Sequence, residues 1–216
     1  MFLTRMSLDV NRPDTIRALS DPAELDRAVR GAFGGVEVPC LWRVDVIGHR
    51  TYLLLFSPIR TTLEPVHERY GYLGCFPSWE TEPYHGSLER LTDGLRRSFR
   101  VVLALPHPGL EAMDRAEQLR TIAQCGRQEQ LIWLTEQSPA WGFRVEQAEA
   151  THSETRIFRP APDAPETVLH CVAFEGILQI RDAALFRQSL CNGIGPEPHW
   201  GCGLMTVDEP GQLRHV

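Results

Sequence analysis

Four glycines fall within eleven residues near the end of the chain, in Gly193-Ile194-Gly195-Pro196-Glu197-Pro198-His199-Trp200-Gly201-Cys202-Gly203. So few side chains leave backbone N–H groups accessible and let the main chain press against a phosphate ridge. His199, inside the segment, can donate or accept a proton near neutral pH. The plainer use of such a stretch is a tight helix-to-strand connection, and the plainer reading of His199 is an exposed loop residue. The doubling of the Gly-x-Gly pattern favours contact with a ligand. The cations point the same way: all 22 basic residues are arginine, and there is no lysine. A GC-rich coding bias accounts for that choice, but every cation is still a planar fork suited to bidentate phosphate contacts, and no catalytic lysine is available. The net charge of −6 argues against nucleic-acid binding through bulk electrostatics and leaves local arginine patches as the alternative.

The chain that must position these residues has 216 of them, enough for one large domain or two small ones, and its 43% apolar content is enough for a core. No apolar run approaches the ~20 residues that span a bilayer. Arg5 and Asp9 interrupt the first apolar residues, so no signal peptide is read and a cytoplasmic location is expected. The six cysteines, Cys40, Cys75, Cys125, Cys171, Cys191 and Cys202, contain no C-x-x-C pair and are expected as buried free thiols. The eight histidines show no ligand spacing, so neither a metal nor a cofactor is expected.

Met1–Val10 alternates, with Met6, Leu8 and Val10 on one side, which predicts a strand. Asp21-Pro22-Ala23-Glu24 predicts a helix start, with Asp21 as cap and Pro22 at the first helical position. Leu25, Ala28, Val29 and Ala32 form its buried stripe, with Asp26, Arg27 and Arg30 off it. Gly34-Gly35 ends it. Cys40–Ile47 and Thr51–Ser57 read as a hairpin around Gly48-His49. Residues 58–86 read as irregular, with Trp79 and Tyr84 packing loops, and a short helix is expected around Leu88, Leu91 and Leu95. Phe99–Leu105 is a strand that closes the first unit or opens the second. Beyond it, Gln128–Glu136 reads as a helix with Ile132 and Trp133 inward. Phe143–Ala150 and Arg156–Pro160 read as a hairpin around a polar tip, and Val168–Phe174 and Gly176–Ile180 as strands. A helix capped by Asp182 runs through Leu190, and Cys202–Val207 is a closing strand. The expectation is an α+β chain of two tandem ferredoxin-like (RRM-like) domains, residues 1–105 and 106–216, linked at Pro106-His107-Pro108-Gly109.

The order of these signals resembles the CasE family, the CRISPR repeat-processing endoribonucleases of the type I-E surveillance complex. The resemblance is carried by Phe2-Leu3-Thr4-Arg5-Met6-Ser7-Leu8-Asp9, by Leu19-Ser20-Asp21-Pro22-Ala23-Glu24-Leu25-Asp26-Arg27-Ala28, and by Gln130-Leu131-Ile132-Trp133-Leu134 with Trp141-Gly142-Phe143. Phe174-Glu175-Gly176-Ile177-Leu178 and Phe186-Arg187-Gln188-Ser189-Leu190 then lead into the glycine loop. It implies two RRM-like domains that recognise the stem-loop of the CRISPR repeat RNA and cut at the stem base without a metal. In that chemistry the ribose 2′-OH attacks the adjacent phosphate, and the product stays bound with other Cas subunits and no membrane. The attack calls for a proton acceptor, a proton donor and cations on the phosphate.

The family's first helix usually reads Asp-Pro-Tyr-x-Leu-His-Arg, with the tyrosine and histidine in catalysis. Here Ala23 and Asp26 stand at those positions, and the lysine common near Pro198 is missing. An aspartate, with an ordinary pKa near 4, is a poor general acid at pH 7, and its charge repels the scissile phosphate. Three outcomes stay open. The chain holds repeat RNA and cuts slowly or not at all; His199 has taken over proton transfer; or Arg27 and Arg30 alone stabilise the phosphate. Asp26 read plainly is an i,i+4 partner of Arg30 on a solvated face. The resemblance also sets Arg156 and Arg159 against the RNA stem, with pairing to Glu154 as the ordinary alternative. With Gly193, Gly195, Gly201 and Gly203 these complete the expected RNA-binding set. A protein–protein adaptor on the same fold, without RNA, is the competing function.

Overall fold

The computed structural model describes residues 1–74, 78–196 and 198–210. The first unit is built from β1 (Phe2–Leu8), α1 (Pro13–Ser20), α2 (Pro22–Gly31), β2 (Leu41–Ile47), β3 (Arg50–Ser57), α3 (Glu64–Tyr70) and β4 (Trp79–Pro83). The second follows a short helix α4 (His85–Glu89) and comprises β5 (Arg96–Leu105), α5 (Arg115–Gln124), α6 (Arg127–Gln137), β6 (Phe143–Phe158), β7 (Thr167–Ile180), α7 (Ala183–Asn192) and β8 (Met205–Asp208). The sheets run β2-β3-β1-β4 and β6-β7-β5-β8, antiparallel throughout. Numbered within its own unit, each sheet has the order 2-3-1-4 of a ferredoxin-like β-α-β-β-α-β motif, as expected.

Local chemistry explains the elements read correctly. Asp21 accepts from the Ala23 N–H at 3.0 Å and caps α2 with Pro22 behind it. Gly48, at φ 61°, turns the β2–β3 hairpin. Asp182 accepts from the Leu185 N–H at 2.9 Å and starts α7.

Several expectations are corrected. The stretch 58–86, read as irregular, contains α3 and β4. Strand β4 has little apolar alternation of its own and forms because the free edge of β1 pairs with it, through Thr4–Thr81 and Arg5–Glu80. β6 is one strand of sixteen residues, not a hairpin, and it turns back into β7 beyond Phe158. Its register shifts at Val145/Gln147 and Ala150/His152 broke the alternation in the sequence. Ile132 is 47% exposed, and Leu134 takes the core position instead. β5 pairs with β7 and β8, so it opens the second unit. The expected division after Leu105 therefore separates β5 from the sheet to which it is hydrogen-bonded. Five cysteines are free thiols, with Cys40, Cys171 and Cys202 buried and Cys125 and Cys191 half-buried; Cys75, like Glu197, lies outside the described residues.

The two units share a core. Leu3, Leu41, Leu54 and Phe56 of the first sheet cluster with Phe99, Val101, Leu103, Phe174 and Phe186 of the second unit. Beside this joint, Arg43 is buried to 1% exposure with all five N–H donors satisfied. Two bonds reach Asp45, at 2.9 and 2.7 Å, and one reaches Thr206 Oγ1 at 3.0 Å. The others go to the carbonyls of Arg100 and Leu204, at 2.8 and 2.7 Å. Arg100 also pairs with Asp45 and with Glu175. Burial alone would raise the Asp45 carboxyl, but Arg43 and Arg100 more than offset it and hold it below the usual range.

Candidate nucleic-acid interface

Helix α2 brings its first turn against the second sheet. Ala23 packs with Val102, Ala104, Phe158, Leu169, Cys171, Ala173 and Cys202. One turn on, Asp26 is 7% exposed. Its Oδ2 accepts from Arg30 Nε at 2.7 Å and its Oδ1 from the Trp42 indole N–H at 2.8 Å. The expected pair with Arg30 is present, but not on a solvated face: a tryptophan sixteen residues away in sequence supplies a second donor and encloses the carboxylate. The Asp26 bond raises the Arg30 pKa and fixes the cation against the helix. Burial pushes the neighbouring Cys40 thiol up. Arg27 points to solvent and makes no ion pair among the described residues.

Trp42 connects this pair to the glycine loop. A Cβ on Gly201 would lie 2.7 Å from the Trp42 ring and 3.0 Å from Arg156 Nη1, so only glycine fits between them. The loop's glycines serve internal packing. All four have positive φ, between 82° and 104°, and side chains at Gly193 or Gly203 would strike Pro198. The loop is also less open than expected. Ile194 N–H donates to Gly203, Cys202 N–H to His199 and Gly203 N–H to Val102. Trp200 holds the left-handed region at φ 57°, a strain of roughly 1–2 kcal/mol for a bulky residue. Its ring sits 5.1 Å from Phe158, and its carbonyl accepts from Arg156 Nη1 at 2.6 Å.

Between α2 and the second sheet runs a cleft of about 350 Å³, lined by Leu19, Trp42, Arg100, His152, Glu154 and Arg156 among others. Arg156 and Glu154 pair at 2.7 Å, as the ordinary reading expects, and Arg156 also holds the loop through Trp200. Burial would raise Glu154, but Arg156 and His152 hold it below the usual carboxylate range. Arg159 is exposed beyond the end of β6, without an ion pair among the described residues, and His199 is exposed on the loop.

The structure thus brings Arg30, Asp26, Gly201 and Arg156 together through Trp42. It leaves Arg27, Arg159 and His199 on open surface. Asp26 and Glu154 are both engaged by guanidinium groups, so neither stands ready to take a proton from a ligand. Sequence reasoning missed Trp42, His152 and Glu154 as cleft residues. One signal was available: a tryptophan inside a buried strand requires an acceptor for its N–H, and Asp26 was the nearest candidate on the preceding helix.

Two ferredoxin-like units with a shared core and a cleft lined by Arg100 and Arg156 define the class. A family model described as CRISPR associated protein matches residues 1–209, and the chain belongs to that family. The CRISPR-associated endoribonuclease Cse3 of Thermus thermophilus is 28% identical over 224 residues, covering 96% of this chain and 99% of that protein. A structure of CRISPR endoribonuclease Cse3 bound to a 19-nucleotide RNA matches with TM-score 0.72 at 20% identity, over 96% of this chain and all of that one. Cas6e from Escherichia coli K-12 matches with TM-score 0.57 at 18% identity, over 97% of this chain and all of that one. The resemblance to the CasE group read from the sequence stands. Among the described residues no helix is long and apolar enough to cross a membrane.

Proposed function

We propose that the chain is a cytoplasmic subunit that binds the stem-loop of CRISPR repeat RNA and keeps the processed RNA within a surveillance complex of other Cas subunits. The supporting observation is the end-to-end likeness to Cse3, whose structure holds RNA, in a chain whose cleft is edged by arginines. Arg27, Arg30, Arg156 and Arg159 contact phosphates, and the glycine loop with its fixed Trp200 shapes the wall they approach. Asp26 is a structural carboxylate in this reading. Both its oxygens accept hydrogen bonds, so it supports Arg30 and Trp42 and does not transfer protons. Cleavage by 2′-OH attack is slow or absent, with His199, exposed on the loop, the candidate group for proton transfer.

The test is incubation of the purified protein with its repeat hairpin in EDTA, followed on a native and a denaturing gel. Tight, salt-sensitive binding without a cut is expected. A cut at the stem base that His199→Ala abolishes replaces the holding role with a nuclease working through the loop. No binding to the hairpin overturns the RNA reading and leaves an adaptor on the same fold.

A further inference from the structure

Behind the second sheet, away from the cleft, three residues distant in sequence meet. We propose that His107, Cys125 and His170 form a binding site for a zinc-type divalent metal ion, which fastens the ends of β5 and β7 to the joint between α5 and α6. His107 lies in the link after β5, Cys125 follows α5, and His170 is on β7. One ligand atom from each falls within 4.8 Å of the others. His107 Nε2 and His170 Nδ1 are 2.7 Å apart. A tetrahedral ion with bonds of about 2.0–2.3 Å spaces its ligands about 3.3–3.8 Å apart. The imidazoles then part by roughly half an ångström and the sulfur closes by roughly one. Cys125 sits on a non-helical joint between two helices, where such an adjustment is small.

The donor set suits the ion. One thiolate and two imidazoles with an open fourth position is a zinc combination, and water completes it. The second layer is in place as well. His170 Nε2 lies 2.9 Å from Ser153 Oγ; with the Nε2 proton donated there, the Nδ1 lone pair faces His107 and Cys125. Gln130 Nε2 donates to the Cys125 carbonyl at 3.1 Å and steadies the joint. Gln130 Oε1, on the same amide, is a buried acceptor without a hydrogen-bond partner. A cleft of about 360 Å³ lined by Leu105, His107, Cys125 and Glu129 gives an ion access from solvent. On binding, the Cys125 thiol gives its proton to solvent and the His107 proton moves from Nε2 to Nδ1. His170 and Cys171 are successive residues of β7 and face opposite sides, which separates this site from the RNA cleft.

The test is titration of the whole, chelator-stripped protein with Co²⁺, read by absorption and displaced with Zn²⁺. Expected are saturation at one equivalent, the visible bands of a tetrahedral site, a thiolate-to-cobalt charge-transfer band in the near ultraviolet, and a raised melting temperature. Cys125→Ser, a near-isosteric change at a half-buried residue, should remove the charge-transfer band. It and His107→Gln should each weaken binding at least about tenfold. A wild-type protein without that band at one equivalent overturns the proposal, and so does a band that survives in Cys125→Ser.

Discussion

The arginine–aspartate pairs Arg43–Asp45 and Arg30–Asp26 lie in two regions of this molecule and do different work. At the joint between the sheets, Arg43 is 1% exposed and every donor on its fork is taken, by Asp45, Thr206 and two backbone carbonyls. On helix α2, Arg30 gives its Nε to Asp26 and keeps 41% of its side chain exposed, while Arg27 makes no ion pair among the described residues. A guanidinium with all donors satisfied inside the protein is a structural bolt. One with its outer edge open is available to a phosphate. The acidic net charge conceals this, because a total does not distinguish satisfied cations from open ones.

Breaking the joint should have the largest effect. Arg43→Ala removes one member of a buried ionic network and leaves Asp45 with Arg100 alone; a loss of about 3–5 kcal/mol in chemical denaturation is expected. Arg43→Lys, which cannot reproduce five bonds, should recover little of it.

The same centre should give acid sensitivity. Asp45 is held below its unfolded value, so its stabilising contribution is complete above about pH 4 and is lost as pH falls through the depressed native value. Urea midpoints measured from pH 6 down to pH 2 should show this fall, and it should be smaller in Asp45→Asn, where Glu154 still contributes its share.

At the cleft the effects should be smaller. Trp42→Phe keeps the ring but removes the donor to Asp26, and should cost about 1–2 kcal/mol while weakening RNA binding through a loosened Arg30. If stability and binding are both unchanged, the indole bond does not organise the cleft. The smallest stability effect belongs to Arg27→Ala and Arg159→Ala, within about 0.5 kcal/mol of the parent. Each should nonetheless lower the slope of log affinity against log salt by about 1. An unchanged slope would remove that residue from the interface.

Much of the architecture was legible because its signals are local. Asp21-Pro22, Gly48 and Asp182 each specify a helix start or a turn within a few residues, and the β2–β3 hairpin follows from them. Strand β4 was not legible, because its pairing to β1 spans more than seventy residues and its own pattern is weak. The long β6 was hidden by the two register shifts that interrupt its alternation. Asp26 was placed correctly beside Arg30, but its burial depends on Trp42 arriving from another strand. The glycine loop was recognisable from composition. The reason for its glycines was not, since Pro198, Trp42 and Arg156 crowd it only after folding. His107, Cys125 and His170 carried no spacing signal, because the link, the helix joint and β7 meet only in the completed second unit.

The shared core has a consequence for synthesis. The first sheet is complete once β4 emerges, yet Leu3, Leu41, Leu54 and Phe56 are covered by residues as late as Phe174 and Phe186. At about 5–20 residues per second, the ribosome needs several seconds to make that cover. Until then the nascent chain carries a finished sheet with an uncovered apolar face. The early half therefore reaches its native packing only when the later half arrives, and in that interval it presents the kind of surface that chaperones bind.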